Sequence, residues 1–591
     1  MIHTRSFMRS ALLLLLLAIL MTTATPQKQE KFTLRLLNEI EERGSEDSFT
    51  AWIYFRDKGP GVLEALEKMK ISLNQKSVER RLRHGFDVLV DEHDLPVYEP
   101  YVEVVKQSVI KIRHISRWLN AISVEARGLE LEKVAKLHFV HRLDRVLTFT
   151  YRDPAPGVRI EPEEMPAEAK AHVLDYGLSF DQNSQLNVPL LHDMGYSGKG
   201  ILICMLDSGF NNLTHEALDH LDIGATWDFV NGDADVYDQE GQMGNGNHGT
   251  HTLSVIAGFE QGELIGPAYG ASFLLGKTEN NEWERHIEED HWIAGAEWAD
   301  SLGADIISSS LGYRDQFTHG DVDYTWQHLD GKSTIVARGA NIAVDRGILI
   351  VNSAGNEGLS VPPENTLVSP SDSPRVLAAG AIDSKGDRVN FSSTGPTADG
   401  RIKPDVMARG AAVYSADPGN PVEYDLVDGT SFSCPLTAGV AALILEINPT
   451  WTNDDVMETM KLTASRSDSP DNRYGWGILD AYKAAFYPLK SLHAPRDFAV
   501  KRLENNYGFF IQYVDQLSWT SDPRNGNDVK SYRIYAKNLQ GQDRPFELVD
   551  EVDSQTFGLF RRALLSDETF LYKITSVSHT GEESDPDYAR L

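Results

Sequence analysis

Three short segments carry side chains suited to nucleophilic chemistry. Cys204-Met-Leu-Asp207-Ser-Gly209 ends an apolar run with a carboxylate, and Asn247-His248-Gly-Thr-His251 places an imidazole next to glycine. Gly429-Thr430-Ser431-Phe-Ser433-Cys-Pro435 sets a hydroxyl at a glycine-preceded helix start. A serine hydroxyl attacks poorly until a positioned base takes its proton, and imidazole titrates near neutrality, which suits it to that task. A carboxylate behind the imidazole fixes its tautomer and steadies the cation that forms. These residues are far apart in the chain, so the chemistry needs a fold that brings the ends of distant elements together.

The surrounding sequence supplies such elements. Residues 200–206 and 347–351 are continuous apolar runs, as expected of strands covered on both faces. They alternate with helical stretches at 293–301 and 437–447, which predicts an α/β domain, a parallel sheet wound with helices. Open sheets of this kind present their functional groups at the carboxyl ends of the strands, where Asp207 falls. Before this region, residues 26–171 are rich in Lys, Arg and Glu, with strand-like pieces at 51–55 and 121–126 and helical spacing over 129–137, a pattern for a small α+β unit. That unit ends in the proline- and acid-rich pieces 153–157 and 161–166, read as an exposed linker. After 490–495, alternating strands at 508–513, 531–537 and 570–577 predict an all-β sandwich.

Taken together, the three segments resemble the signatures of subtilisin-like serine peptidases, whose triad runs in the order Asp, His, Ser. The resemblance covers 176–488 and implies a doubly wound, mainly parallel sheet, with Asp207, His248 and Ser431 as the catalytic residues. It also implies that Asn356, in Val351-Asn-Ser-Ala-Gly355-Asn356-Glu-Gly358, donates its amide to the oxyanion beside the backbone N–H of Ser431. Asn352, earlier in the same strand, is the alternative. Ser310-Leu311-Gly312 is similar to the family's edge segment, which pairs with substrate backbone as an added strand. Residues 389–396 and 403–406 match as well, whereas Ala408-Arg409-Gly410 stands where the family has a proline-glycine turn. Arg117-Trp-Leu-Asn-Ala-Ile-Ser-Val-Glu125 and 131–141 resemble inhibitory propeptides, which implies a cut between about Met165 and Tyr176; a permanently attached accessory domain is the alternative. The C-terminal region resembles a fibronectin type III module through Trp519, Tyr532-Arg-Ile-Tyr535 and Tyr572, the last a candidate tyrosine corner. The expected organisation is therefore a signal peptide over 1–24, a propeptide and linker over 25–170, a peptidase domain over 176–488 and a β-sandwich over 495–591.

Bulk properties narrow the partners. The 591 residues include 87 acidic and 56 basic ones, a formal charge of −31, which repels nucleic acid and anionic lipid at long range. Basic residues, then an apolar run over 11–21, then small residues to Ala24 fit a secretory signal, and the run falls short of the roughly 20 residues that span a bilayer. A secreted, monomeric enzyme is expected, with polypeptide substrates, its own propeptide as inhibitor, and no membrane contact after signal cleavage. Cys204 and Cys434 lie in apolar sequence and are read as free thiols, with a bridge between them as the alternative. His215-Glu216 and His220 have the wrong spacing for zinc, since five residues turn the two rings to different helical sides. His251 is read as packing or capping. No metal or cofactor is required for the chemistry. The acidic stretches 233–240 and 282–290 are read as solvated faces, with a structural calcium as the alternative.

Overall fold

The computed structural model describes residues 31–146 except 87, and 172–591 except 281–286, 315–322, 509, 541–543 and 565–567. The expected signal peptide, the linker pieces 153–157 and 161–166, and residues 165–171 of the expected cleavage interval lie outside the described residues. The chain divides into two units, the first formed by residues 1–72 and 90–147, the second by 73–89 and 148–591.

The first unit is a four-stranded antiparallel sheet in the spatial order Lys111–Ser116, Ala121–Arg127, Ser48–Phe55, Val140–Arg145. Its core joins Phe49, Ala51, Ile53 and Phe55, all on the inner strand Ser48–Phe55, to Ile122, Val124 and Leu143. Leu36 and Ile40 from the helix Leu34–Arg43, and Leu131 and Val134 from Gly128–Ala135, cover it.

The second unit is built on seven parallel strands: β1 (Leu202–Asp207), β2 (Asp222–Asp228), β3 (Ser272–Lys277), β4 (Ile306–Ser309), β5 (Leu349–Ser353), β6 (Val376–Ile382) and β7 (Val406–Arg409). Their order is β7-β6-β5-β4-β1-β3-β2. Strands β1 and β4 through β7 are buried along their whole length, and β1 and β5 overlap the apolar runs 200–206 and 347–351. Among the described residues, six helices of eight residues or more pack around the sheet and its strand ends: α1 (Gln75–Arg83), α2 (His248–Ala257), α3 (Ile287–Leu302), α4 (Ile335–Asp345), α5 (Thr430–Ile447) and α6 (Asn453–Leu462). Helix α5 is long and apolar enough to cross a membrane by composition, yet 89% of it is buried inside this fold as its central helix. The order of strands turns outward in both directions from the β1/β4 pair, and at such a switch point the carboxyl ends of neighbouring strands leave a crevice. Asp207 closes β1 and Ser310 follows β4 there.

After residue 495, seven strands are described: β8 (Arg496–Asn506), β9 (Ile511–Thr520), β10 (Val529–Asn538), β11 (Glu547–Asp553), β12 (Gly558–Leu564), β13 (Phe570–Ser578) and β14 (Asp587–Arg590). They form two antiparallel sheets, β8-β9-β12 and β11-β10-β13-β14. One apolar cluster draws on both, including Phe498, Leu517 and Trp519 from the first and Tyr532, Ile534 and Tyr572 from the second. The Tyr572 hydroxyl, the candidate for a tyrosine corner, donates to the Asp515 carboxylate at 2.5 Å. These strands are docked on the parallel-sheet body. Leu571 and Tyr588 pack with Ile402, Ala464 and Trp476, and Arg524 donates to Glu458 (2.9 Å) and Asp455 of α6, with Arg496 on Asp454 (2.8 Å).

Candidate active site

The carboxylate at the end of β1 is held by three donors. Ser208 N–H reaches Asp207 Oδ1 at 2.8 Å, Thr252 Oγ1 reaches Oδ2 at 2.9 Å, and His248 Nδ1 lies 2.7 Å from Oδ1. Asp207 and His248 are 1% and 2% exposed. Because a carboxylate only accepts, His248 carries its proton on Nδ1, which leaves Nε2 as the basic nitrogen. Helix α2 brings the imidazole in so closely that a side chain on Gly249 would meet Gly209 O at 2.4 Å, and one on Gly209, where φ is +147°, would meet Gly246 O at 2.4 Å. The glycines flanking this pair are what the approach requires.

Ser431 sits in the first turn of α5, after Gly429, and is 2% exposed. The next residue, Phe432, lies against both imidazoles of α2, with ring centroids 5.6 Å from His248 and 6.4 Å from His251. Ser431 and Ser310 are joined twice: Ser431 Oγ donates to Ser310 O at 3.3 Å, and Ser310 Oγ donates to Ser431 O at 2.7 Å. The turn that departs from the family pattern supports the same helix end. Gly410 O accepts from Gly429 N at 2.8 Å, and Ser433 Oγ donates to Ala408 O and Arg409 O at 3.2 Å each. The altered residues thus leave the support of α5 intact.

Asn356, an exposed residue, is fixed by its oxygen, which accepts from Thr430 N and Thr430 Oγ1 at 2.9 Å each. With the oxygen so engaged, the Nδ2 amide is the group left to face a ligand at the amino end of α5. Asn352 is wholly buried and donates to Leu311 O (2.8 Å) and Ser353 O (2.9 Å), so it props the 310–312 segment from behind. Tyr313 pairs its backbone with Ser369 in both directions (2.9 and 3.0 Å). Thr252, Thr430 and the Ser310 hydroxyl escape a sequence reading because isolated Ser and Thr residues give no pattern.

The acidic residues in the first turn of α3 behave differently from a solvated face. Glu288, Glu289 and Asp290 are buried, with Glu288 accepting from Asn280 N (2.8 Å) and Glu289 from Tyr324 OH and Val336 N (3.0 Å each). Glu279, also buried, accepts from Tyr313 OH at 2.7 Å. Burial pushes its carboxyl up to about 7 against the pull of the Tyr313 hydroxyl, and Asp207 adds to the push. Burial likewise raises Glu289 to about 8. A raised pKa keeps Glu279 and Glu289 from carrying full charge near neutrality, which lowers the cost of holding them buried beside other carboxyls.

The remaining candidates are structural. His251 Nδ1 meets Ser415 Oγ at 3.0 Å, and burial, with His248 adding to it, holds the ring down to about 4. His215 Nε2 meets Glu423 O at 2.8 Å and His220 Nε2 meets Tyr269 O at 3.2 Å. Among the described residues, Asp455, Glu458 and His493 lie close enough to hold a metal, but Arg524 donates to both carboxylates and makes the group an ion-pair network. Cys204 and Cys434 are free buried thiols.

Comparison with known proteins places these observations among relatives. Residues 198–477 match the model of the subtilase family, and 50–156 match the Peptidase S8 propeptide domain described for Bacteroidota. Subtilisin E of Bacillus subtilis (strain 168) is 32% identical over 332 residues, which span 56% of this chain and 76% of that protein. Subtilisin of Bacillus pumilus is 32% identical over 317 residues, 53% of this chain and 100% of that one. Among solved structures, the crystal structure of MycP1 with the N-terminal propeptide removed aligns with a TM-score of 0.42 at 25% identity, over 52% of this chain and 97% of the other.

Proposed function

Because this chain belongs to the subtilase family of serine peptidases and carries an S8 propeptide domain, we propose that it is a secreted endopeptidase acting through an acyl-enzyme on Ser431. The observation that carries the reading is the buried 2.7 Å pair of Asp207 and His248, set beside the amino end of the helix that bears Ser431.

In this mechanism a polypeptide lies along 310–312 as an added strand. Ser431 Oγ, released from Ser310 O, attacks the scissile carbonyl carbon while His248 Nε2 takes its proton, and Asp207 stabilises the resulting imidazolium. The carbonyl oxygen becomes an anion facing Asn356 Nδ2 and the Ser431 N–H at the positive end of α5. As the C–N bond breaks, His248 returns the proton to the departing amine. Water then attacks the ester, losing a proton to His248, and the acid leaves as Ser431 regains its hydrogen. No cofactor enters these steps.

The first 24 residues are read as the export signal and the propeptide as an inhibitor removed by cutting between about Met165 and Tyr176. The C-terminal strands are read as a fibronectin type III-like sandwich, a reading supported by their grouping into sheets of three and four strands with a shared apolar core.

Casein hydrolysis tests the central claim. Ser431→Ala is expected to lower kcat by about 10⁶-fold, a magnitude that comes from a subtilisin, and a serine-directed covalent inhibitor to silence the wild type. Activity should rise between about pH 6 and 8 as the base loses its proton. Wild-type protein that stays inert after its propeptide is removed would refute the reading, and a rate maximum near pH 4 would mean a different base.

A further inference from the structure

Within the span matched by the propeptide family lies a stretch, 73–89, that belongs structurally to the catalytic unit. Its helix α1 begins at Asn74, whose side chain accepts from Lys76 N at 2.8 Å, and carries the run Glu79-Arg80-Arg81-Leu82-Arg83. Arg80 and Arg81 are each 1% exposed, an unusual state for arginine unless its charge is paired.

The partners lie at the amino ends of β1, β4 and β5. Arg80 Nε donates to Arg346 O (3.0 Å), Nη1 to Ala304 O (2.5 Å) and Nη2 to the Asp300 carboxylate. Arg81 donates to the same carboxylate (3.2 Å), Arg83 to Asp305 (2.9 Å), and Ser77 Oγ to Asp300 O (2.7 Å). Ala304 and Arg346 stand just past the carboxyl ends of α3 and α4, where helices leave carbonyls unsatisfied and carry partial negative charge. Two helix ends and two aspartates thus converge into one anionic socket, and a planar fork with several donors matches it where a point-charge ammonium would not. The fit is close: a side chain on Gly303 would meet Lys76 Cβ at 2.5 Å, and one on Gly347 would meet His84 Nδ1 at 2.6 Å. Asp207 closes the opposite end of β1, so roughly 20 Å of strand separates the socket from the triad. By contrast, the helix just before this stretch, Val62–Ser72, has no buried residue.

We propose that α1 and this socket form a second anchor of the propeptide, remote from the active site, which keeps a severed propeptide bound to the catalytic chain until the anchor itself is cut or released. The proposal rests on the reading that the propeptide is cut off in the linker. Cleavage at the linker then removes a covalent tie without removing the inhibitor, and release requires extracting two buried guanidinium groups or cutting the chain on either side of α1.

The test uses the full-length Ser431→Ala chain with a recognition site for a site-specific protease inserted within 147–171. After cutting, dissociation of the propeptide fragment is followed by size-exclusion chromatography. The two pieces should co-elute for days. Arg80→Met with Arg81→Met should hasten separation by about 100-fold, since it leaves the Asp300 carboxylate buried without its cations. Arg83→Ala, on a pair at the rim, should hasten it about five-fold, and Gln75→Ala, at an exposed side chain that donates to Glu79 on the same helix, should leave it unchanged. Should the double variant fail to fold, hydrogen exchange on the cut parent decides: amides of 75–83 should be protected as strongly as those of α3. Separation of the double variant at the parent's rate, or exchange of those amides within seconds, overturns the proposal. Since an added protease makes the cut, failure of natural processing would appear separately, in N-terminal sequencing of the secreted wild type.

Discussion

At the scale of single residues, Thr430 stands to Asn356 in the proposed mechanism as Asp207 stands to His248: each holds one end of a planar group and leaves the other for the reacting centre. Two Thr430 donors occupy Asn356 Oδ1, at 2.9 Å each. In the proposed mechanism Asn356 acts only on the anion of the transition state, so Asn356→Ala should lower kcat by roughly 10²–10³ with little change in KM, the magnitude known for a subtilisin. Thr430→Val keeps the backbone donor and loses the hydroxyl one, so about five-fold in kcat is expected, the worth of about 1 kcal/mol, with Thr430→Ser restoring the rate. Steady-state kinetics on one peptide substrate checks both; a loss confined to KM would remove the oxyanion role from Asn356. The segment that holds Asn356 was legible because it is long and specific, with Asn352 as the rival candidate in it. Geometry separates them, since Asn352 is buried and spent on Leu311 and Ser353 carbonyls. Thr430 was not legible, because its role depends on a neighbour 74 positions away in the chain.

Between elements, one proline couples helix to strand. Pro435 lies inside α5, and a proline lacks the N–H that would bond the carbonyl four residues earlier, which is that of Ser431. Ser310 Oγ, just past β4, supplies the missing donor at 2.7 Å. Ser310→Ala should therefore destabilise the protein by about 1–3 kcal/mol, the cost of a buried acceptor left without that partner. Pro435→Ala restores a helical N–H, so adding it to Ser310→Ala should recover part of the loss, and a thermal-unfolding double-mutant cycle measures the coupling. Strictly additive effects would show that the two sites are independent. Two of the strands that position the proposed triad were legible for a physical reason: strands covered on both faces are mostly apolar, and β1 and β5 fall within two residues of the runs 200–206 and 347–351. Strand β2, at the sheet's edge, has an alternating, half-exposed pattern and gave no such signal. Strand order stayed out of reach, because parallel neighbours are joined through crossovers that leave no local mark.

Across the whole molecule, charge that looks like solvent-facing polarity in the sequence is buried as specific pairing. Arg80 and Arg81 fall in a Lys- and Arg-rich stretch that reads as surface, and only the fold shows Asp300 opposite them, 220 residues away from Arg80. Glu288 and Glu289 are likewise buried, held by hydrogen bonds from Asn280 N and from Tyr324 OH and Val336 N. The carboxyl end of the anchor helix carries a group that makes its hold dependent on acidity. His84 Nδ1 donates to Arg80 O at 2.8 Å and Nε2 accepts from Asn453 N at 3.0 Å, a pattern that only the neutral ring can satisfy. Burial holds it down to about 4, with Arg83 and Arg80 pushing the same way and the Arg80 carbonyl and the Asp454 carboxylate opposing. A released helix would titrate near the ordinary value of about 6.5, so the free form binds the proton more readily than the docked one. The hold contributed by a neutral His84 is therefore complete above pH 6.5 and fades as pH falls towards 4, by about 3 kcal/mol at the limit. The cut Ser431→Ala complex should thus dissociate at pH 4.5 markedly more readily than at pH 7.5, and His84→Gln, which has a donor and an acceptor but no titration in this range, should flatten the difference. Equal retention of the parent at both values, or an acid response unchanged in the variant, would take His84 out of the anchor's control.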